Sequence, residues 1–524
     1  AWIADENGEL PAKAWAAAGN ERFAVVEAAE LPLLVPEPAA ADAWFLAETN
    51  QIDYLVVASR ALAPAAQELA DYRTGQGLRS GVAVFEDACD LFTSGLRTPE
   101  AVPALLAYAQ STWAEAPWMV VLAGNGHYDY LGVKSNEVNH LPPLLLATKD
   151  GIFAADGLLA DADGDGLPDM AVGRLPARNA TDLTAMIAKI KTFEAEFGAS
   201  WQNQLVLATD NADGAAGSFL KANDGIAALT DAAHPLAGRI DLDKLTIAAA
   251  RTALTNWFKA GAGFIHYTGH GGAKNWSAKN LLKDTDVNIM TNGRRPVVVA
   301  LTCLSGRFEM PAVDNLGEVL LQRAQGGAVA VWSPSGLSRN APASDLGAAF
   351  YQAVFQEGCN LLGLAVLQAR RAVQGDFFTR DTLAVYNLLG DPALRIAGNP
   401  GQSALALAVN CQPPEGGTAG GGGVYPAGAR ATLAATPNAG WEFTGWSDGD
   451  SRNPRPVAVA FGGASYTALF TRQQAAITVD VDPAAGGAAT GGGTFFVGET
   501  IQIAATANAG WEFSGWSDGD LANP

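Results

Sequence analysis

The chain has 524 residues, which is too long for one hydrophobic core and indicates about three or four domains. Its hydrophobic fraction of 49% and charged fraction of 17% are typical of folded protein and exclude a disordered polymer. The formal net charge is −21 and no cluster of Lys and Arg interrupts it, so neither nucleic acid nor an anionic membrane is an expected partner. No apolar run reaches the roughly 18 residues of a spanning helix, so no membrane-spanning segment is predicted.

The start of the chain indicates a piece of a larger protein, and one of its four cysteines stands apart from the others. The first residues, AWIADENGEL, contain neither Met nor a charged-then-apolar leader, so we expect a fragment cut from a longer precursor. The four cysteines, Cys89, Cys303, Cys359 and Cys411, are far apart and match neither a disulfide framework nor a zinc site. Cys89 and Cys359 lie in amphipathic patterns typical of core residues, which leaves Cys303 as the exception.

The predicted elements alternate between strands and helices from residue 50 to about residue 397. Residues 1–49 are mixed and Pro-rich and are interpreted as the end of a preceding β-type region. The elements that follow are strands at 53–59, 80–86 and 118–126, helices at 63–77 and 99–113, a helix capped at Asn179 or Thr181, and strands at QLVLATD, GFIHYTG and PVVVALT. This alternation predicts an α/β domain with a mostly parallel sheet flanked by helices. We divide it into an N-terminal subdomain at 50–200 and a catalytic subdomain at 201–397.

After about Ile396 the helical patterns stop and two small all-β repeats are predicted, at 398–472 and 473–524. GWEFTGWSDGD recurs as GWEFSGWSDGD 70 residues later, and the chain stops inside the second copy. Further C-terminal sequence is therefore expected, which would offer a route to cell-surface attachment. The aromatic residues Trp441, Phe443 and Trp446 are interpreted as the core of a repeat rather than as a sugar-binding set. These stretches resemble the internalin-B-type repeats of large bacterial surface and secreted proteins.

Two apolar runs end on chemically reactive residues beside small residues. GFIHYTGHGG leads to His270, and PVVVALTCLSG leads to Cys303. Sites in α/β sheets form at the carboxyl ends of strands, so we expect the two residues to share one site. An imidazole is the usual activator of a nucleophilic thiol, which assigns His270 as general acid/base and Cys303 as nucleophile. The amides of Gly271 and Cys303 are the candidate oxyanion hole, because no side chain at the glycine obstructs an approaching carbonyl.

His270 and Cys303 each have a non-catalytic interpretation as well. A lone cysteine at a strand end is more often a core residue, and a histidine between glycines is more often part of a turn. Their joint placement on two strand ends, with one helix-sized connection between them, favours the catalytic interpretation.

FIHYTGHGGAKNWSAKNLL and DVNIMTNGRRPVVVALTCLSGRF resemble the catalytic core of the gingipain-type cysteine peptidases, which share a caspase-like fold. The resemblance covers roughly residues 50–397 and is carried by Tyr267, Gly269, His270, Gly271, Trp276, Cys303, Gly306 and Phe308. It implies a caspase-like α/β domain that acts on protein or peptide substrates. The chain departs from the family at Asn125, in a GNG where relatives commonly read GDG, which puts a metal or orienting role there in doubt.

The same resemblance implies a place for the substrate pocket. In caspase-like peptidases the loop after the strand that follows the nucleophile commonly lines this pocket. Here that stretch is WSPSGLSRN, which implies Trp332, Ser333 and Ser335 as substrate-facing residues. No acidic residue lies in the stretch, so a preference for Arg or Lys is not carried over. The alternative is an ordinary surface turn.

The segment DADGDGLPD has the spacing of a calcium loop. Its candidate ligands are Asp161, Asp163, Asp165, Leu167 and Asp169, at the first, third, fifth, seventh and ninth positions of an EF-type loop. Position twelve is Val172 instead of a bidentate Glu, so another ligand, such as Asp156, would be needed. The alternative is a solvated acidic turn, but the repulsion among four carboxylates favours a structural calcium ion. We predict no organic cofactor.

These features together predict a secreted or cell-surface cysteine endopeptidase that works through a Cys-His dyad and a thioester acyl-enzyme. A sortase-like transpeptidase of the same family would use the same dyad, so the sequence does not separate the two. A non-catalytic surface adhesin built on the same scaffold is disfavoured by the intact His270 and Cys303. Millimolar calcium is normally found outside cells, which agrees with an extracellular or cell-surface location.

Overall fold

The computed structural model describes residues 44–161, 164–214, 218–291, 293–373, 375–396, 405–425, 430–459 and 464–523. Most of the predicted preceding region at 1–49 therefore lies outside the described residues. The first half of the α/β domain contains β1 (Tyr54–Ala58), α1 (Ala63–Gly75), β2 (Ser80–Val84), α2 (Phe85–Phe92), α3 (Ala101–Thr112), β3 (Met119–Ala123), β4 (Leu145–Thr148), β5 (Gly151–Ala154), β6 (Ala171–Leu175) and α4 (Ala180–Ala195).

The second half of the α/β domain carries both candidate catalytic residues. Its elements are β7 (Leu205–Thr209), α5 (Phe219–Ala227), β8 (Leu236–Asp241), α6 (Ile247–Ala260), β9 (Phe264–Thr268), β10 (Gly271–Gly272), β11 (Asn275–Trp276), β12 (Leu282–Lys283), β13 (Val297–Leu301), α7 (Leu316–Gln322), β14 (Ala330–Pro334), α8 (Asn340–Tyr351), α9 (Leu362–Ala372), α10 (Phe377–Val385) and β15 (Tyr386–Leu389). His270 follows β9, and Cys303 follows β13.

Ten strands form one sheet in the order β2-β1-β3-β6-β15-β14-β13-β9-β7-β8. Every neighbouring pair is parallel except β14 with β15. The prediction of a mostly parallel sheet flanked by helices is confirmed. The sheet continues across the predicted subdomain boundary at 200 and 201, which falls in a short 3₁₀ helix, Ser200–Asn203.

β1, β3 and β13 are continuous apolar runs, as expected for strands of a parallel sheet that is covered on both faces, and β9 also buries His266 and Thr268. Every residue of β1, β3, β9 and β13 is buried. The neighbouring helices begin at polar caps. The Asn179 side chain accepts a hydrogen bond from the Asp182 amide at the start of α4, and the Thr246 side chain caps α6 in the same way. These caps set where the helices begin and therefore where the connecting loops run.

A buried cation joins the beginning of the α/β domain to its end. Arg73 on α1 contacts Glu194 on α4 through Nη1 and Oε2 at 2.9 Å, and Asp391 after β15 through Nη2 and Oδ2 at 2.6 Å. All three side chains are at most 1% exposed. Tyr54 donates a hydrogen bond to the other Asp391 oxygen at 2.9 Å. Removal of Arg73 would therefore leave two carboxylates buried without their cation.

The C-terminal part of the described chain is all β. The first repeat contains β16 (Leu405–Gln412), β17 (Gly417–Gly420), β18 (Gly423–Tyr425), β19 (Arg430–Pro437), β20 (Trp441–Trp446), β21 (Arg455–Ala458) and β22 (Ala464–Arg472), and the second contains β23 (Gln474–Ile477), β24 (Gly487–Thr490), β25 (Gly493–Phe496) and β26 (Ala504–Ala507). Trp446 is 1% exposed and its ring lies 5.4 Å from that of Phe443. The interpretation as the core of the first repeat is confirmed for Trp446, whereas Trp441 and Phe443 are partly buried and pack against the core.

We expect Arg73→Ala to lower the free energy of unfolding by about 3–5 kcal/mol, because it breaks a buried ion pair and leaves both acids unpaired. The control Arg60→Ala removes a guanidinium that is 62% exposed and paired with Asp87, so it should cost about 1 kcal/mol or less. Urea unfolding followed by circular dichroism measures both changes. Equal losses in the two variants would contradict the role assigned to the buried cluster.

Candidate active site

β9 and β13 deliver their last residues to the same edge of the sheet. The two strands are adjacent and parallel, in a register that places Thr268 opposite Leu301. The Gly269 amide extends the ladder past the end of β9, since it donates to the Leu301 carbonyl at 3.2 Å. Because the strands end at the same level, the loops that follow them begin side by side.

The two loops also touch at Gly271. A Cβ atom at this position would clash with Thr302 Oγ1 and would lie 3.0 Å from the carbonyl oxygen of Cys303. Only glycine leaves room for so close an approach of two backbones. The segment that carries His270 is thereby in contact with the segment that carries Cys303.

His270 is held through both its ring and its backbone. Nε2 of the imidazole is hydrogen-bonded to Oδ2 of Asp213, and the side chain is 51% exposed. The Phe219 ring meets the imidazole edge to face, with centroids 5.3 Å apart and planes at 85°. The His270 amide donates to Asp210 Oδ2 at 3.2 Å, and its carbonyl accepts a hydrogen bond from Tyr267 at 2.6 Å. The imidazole is therefore oriented and still open to solvent.

Asp210 anchors the loop that carries His270. This carboxylate follows β7, is buried, and accepts hydrogen bonds from Ser277 Oγ at 2.8 Å and from the Tyr267 hydroxyl at 3.3 Å. The Tyr267 ring stacks on Trp276 with centroids 4.7 Å apart and planes at 6°. Burial, and next the charge of Asp210, raise the pKa of Tyr267 well above its ordinary value. Tyr267 therefore stays protonated and can donate its hydrogen bond.

Cys303 is a half-buried thiol that contacts the loop after β14. The Ser338 amide donates to Sγ at 3.4 Å, and Sγ lies 3.6 Å from the Ser338 carbonyl oxygen. Burial raises the pKa of the thiol, the Ser338 amide lowers it, and the charge of Asp150 raises it again, with a net increase. Leu304, the next residue, has a φ of 62°, a strained conformation for a leucine that is most often found near functional sites.

The predicted dyad residues lie on neighbouring loops without a direct bond between them. Within the part of the chain that the structure describes, no hydrogen bond joins the imidazole of His270 to the sulfur of Cys303. Gly271 lies in β10, which pairs with β11 through Trp276. The assignment of the Gly271 and Cys303 amides as the oxyanion hole stays a prediction.

The three residues predicted to line a substrate pocket do not face solvent. Trp332, Ser333 and Ser335 are fully buried, and the first two lie within β14. Ser335 Oγ donates to the Ala154 carbonyl at 2.6 Å. The prediction for these side chains is therefore wrong, because β14 extends through residue 334 as an entirely buried strand. The residue of this stretch that reaches the nucleophile is Ser338.

Four residues around the site are not predicted from the sequence. Asp210 and Asp213 lie in DNADG directly after β7, the strand next to β9. The rule that selected His270, namely polar residues at a carboxyl strand end, would have found both aspartates if it had been applied to β7. Ser338 lies after β14 in the stretch WSPSGLSRN, and its partner Tyr386, at a hydrogen-bond distance of 3.0 Å, begins a strand and carries no such local signal.

The structure describes only part of the predicted calcium loop, and Asp163 lies outside the described residues. Both carboxylate oxygens of Asp161 accept hydrogen bonds from amides of the loop, from Gly164 at 2.8 Å and from Gly166 at 3.0 Å. In the described ranges, no group of three or more His, Cys, Asp or Glu side chains is arranged to hold a metal ion. Calcium binding by this loop therefore stays a prediction.

The other predicted ligands lie at the end of this loop, and the suggested additional ligand lies elsewhere. Asp165 accepts a hydrogen bond from the Leu167 amide at 2.7 Å, and the Asp169 amide closes the loop onto the Ala160 carbonyl at 2.7 Å. Asp156 is buried, and its two oxygens contact Nε and Nη2 of Arg174 at 2.6 and 2.9 Å. The suggestion of Asp156 as a ligand is therefore wrong, because a buried guanidinium already neutralises its carboxylate.

Comparisons with known proteins identify two families along the chain. The family model described as Peptidase family C25 matches residues 47–397. The model described as Divergent InlB B-repeat domain matches residues 407–474 and 477–523. No match was found among curated proteins.

Solved structures share the fold of the peptidase domain. The complex of the RgpB pro- and mature domains from Porphyromonas gingivalis is 18% identical, with a TM-score of 0.57 over 76% of this chain and 89% of that chain. The Arg-specific cysteine proteinase gingipain R is 16% identical, with a TM-score of 0.56 over 83% of this chain and all of that chain. These likenesses confirm the predicted fold class. Because the family match covers more than half of the sequence, the chain belongs to Peptidase family C25, the gingipain family of cysteine peptidases, and carries InlB-type repeats after its peptidase domain.

Proposed function

We propose that the chain is a cysteine endopeptidase in which Cys303 attacks the substrate and His270 transfers protons. The observation that carries the proposal is the close approach of Gly271 to the Thr302 side chain and to the carbonyl oxygen of Cys303, which brings the two loops into contact. Exposure supports it as well, since the His270 side chain is half exposed and Cys303 is only partly buried. A peptide bound at this edge of the sheet can reach both groups.

The proposed reaction is a two-step acyl transfer. The proton of Cys303 passes to the His270 imidazole while the sulfur forms a bond to the carbonyl carbon of the peptide. The amides of Gly271 and Cys303 would receive the negative charge that develops on the carbonyl oxygen. The imidazolium then protonates the leaving amine, the C–N bond breaks and a thioester remains. Water that loses a proton to His270 hydrolyses the thioester and restores the thiol.

Asp213 is the proposed positioning residue for His270. Its carboxylate holds Nε2, so proton exchange with the thiol falls to Nδ1. A carboxylate on one ring nitrogen fixes the tautomer of a catalytic imidazole and stabilises the imidazolium that forms during the reaction. The carboxylate and Phe219 together restrict the rotation of the ring.

The substrate and the location follow from the family and the repeats. Membership in a peptidase family implies protein or peptide substrates. The InlB-type repeats and the gingipain relationship support an extracellular or cell-surface location. Among the described residues, no helix combines the length and the apolar character that a bilayer crossing requires.

We also propose a structural calcium ion in the loop from Asp161 to Asp169. The carboxylates of Asp161 and Asp165 accept hydrogen bonds from amides of their own loop. Their oxygens therefore lie close together in a short segment, and calcium prefers oxygen ligands of this kind. The ion would relieve the repulsion among these carboxylates and hold the segment that enters β6. It takes no part in the proposed peptide hydrolysis.

Cys303→Ala should abolish peptidase activity and change the melting temperature by no more than about 2 °C, because the thiol is a partly buried reactive group outside the central core. The matched control Cys411→Ala removes another partly buried thiol, in the first repeat, and should keep full activity. Peptide cleavage and thermal unfolding are measured on all three proteins. A large loss of stability with retained activity would instead make Cys303 a core cysteine.

Asp213→Asn should lower kcat by about ten- to a hundredfold with little change in KM, because the imidazole loses the carboxylate that orients it. Asp213→Glu should recover part of the loss. The control Asp224→Asn removes an exposed carboxylate on α5 that pairs with Arg239, and it should leave kcat unchanged. An equal effect of the two asparagine substitutions would exclude a positioning role for Asp213.

Calcium should raise the melting temperature of the full chain relative to the same protein in a chelator, because a ligand that binds only the folded state stabilises it. In Asp165→Asn the increment should fall to less than about half, since a ligand charge is lost. Asp518→Asn, in an acidic turn of the second repeat, is the control and should keep the increment. A melting temperature that does not respond to calcium would contradict the proposed ion.

A further inference from the structure

Three segments of the chain meet beside Cys303. The sulfur follows β13, the Ser338 amide reaches it from the loop after β14, and the side chain of Tyr386 comes from the first residue of β15. The Tyr386 hydroxyl and Ser338 Oγ lie 3.0 Å apart and share a hydrogen bond. A continuous chain of contacts therefore runs from the Tyr386 hydroxyl through Ser338 to the thiol.

Tyr386 is held in place by packing and by its hydrogen bond to Ser338. Its side chain is fully buried, and its ring lies 5.9 Å from that of Trp332, with planes at 66°. Burial, above all other effects, raises the pKa of the phenol, so it stays protonated. The amide of Thr302, the residue before the nucleophile, lowers this pKa in part. Either hydroxyl can donate in the bond between Tyr386 and Ser338 Oγ, and both arrangements tie the Ser338 side chain to the buried phenol.

We propose that Tyr386 is a positioning residue for the nucleophile, whose hydroxyl holds Ser338 so that the Ser338 amide donates to the sulfur of Cys303. This inference rests on the proposed function of Cys303. Tyr386 does not touch the substrate, because it is buried behind Ser338 and β14. Its effect passes through one main-chain hydrogen bond that is stronger with a thiolate than with a thiol.

The other groups around the sulfur make the hydrogen bond from the Ser338 amide important for the stability of the thiolate. Asp150, in the turn between β4 and β5, opposes the thiolate by its charge, although Arg339 neutralises it in part across 3.6 Å. Tyr267 on β9 is a neutral phenol, and His270 stands after the same strand. Without the Ser338 amide, burial and the charge of Asp150 would both disfavour the thiolate.

The test is the pH dependence of Cys303 alkylation by iodoacetamide in the full chain, with the modified residue located by mass spectrometry. In Tyr386→Phe the midpoint of the rate profile should move up by about one pH unit, with about a tenfold slower reaction near neutral pH. Ser338→Ala breaks the same hydrogen bond from the other side and should give the same shift. The double variant should show no further shift, because both substitutions remove one interaction.

Tyr351→Phe is the matched control, since this tyrosine is also fully buried and its hydroxyl has no hydrogen-bond partner among the described residues. Its profile should coincide with that of the unaltered chain. If Cys303 remains reactive and neither Tyr386→Phe nor Ser338→Ala moves the profile, the positioning role is overturned and the proposed function stands. If Cys303 of the unaltered chain reacts no faster than Cys411, the proposed function fails, and the positioning role fails with it.

Discussion

The parallel pairing of β9 with β13 is the constraint on which the candidate site depends. The register runs from Val297 opposite Phe264 to Leu301 opposite Thr268, so both strands end at one level. A slip of one residue would move the thiol by about 3.3 Å relative to the imidazole and reverse the faces of every side chain in the strand. Both strands are fully buried, so the hydrophobic core enforces a register that the chemistry then uses.

Four adjacent strands each contribute to the candidate site. In the sheet order β14-β13-β9-β7, the loops after these strands supply Ser338, Cys303, His270 and the two aspartates Asp210 and Asp213. The carboxyl ends of parallel strands point the same way, so consecutive loops form one row along the edge of the sheet. The antiparallel strand β15 joins this row from the opposite direction and brings Tyr386 beneath it.

What the sequence predicts well lies within short contiguous segments. The β-branched runs before His270 and Cys303 predict two buried strands, and the polar residue at Asn179 predicts a helix cap, because each signal is local. The prediction of substrate-facing residues is wrong because it too relies on a local signal. Trp332 and Ser333 read as the start of a loop, although packing from distant helices keeps them inside a strand.

The remaining features depend on contacts between segments that are far apart in the chain. The Ser338 contact with Cys303 spans 35 residues, and the Tyr386 contact with Ser338 spans 48. Asp156 carries the same chemical signal as a metal ligand, and only the fold reveals that Arg174 neutralises it. Local residue type indicates what such side chains can do, whereas the tertiary fold decides which of them meet.

The most direct test of the shared cleft is a crystal structure of the chain after reaction with a peptidyl chloromethyl ketone. We expect a single thioether bond from Cys303 Sγ, with chloride displaced, the inhibitor oxygen directed at the amides of Gly271 and Cys303, and the His270 ring beside the same inhibitor. A label on any other residue, or an imidazole on the far side of the sheet from the labelled sulfur, would contradict it.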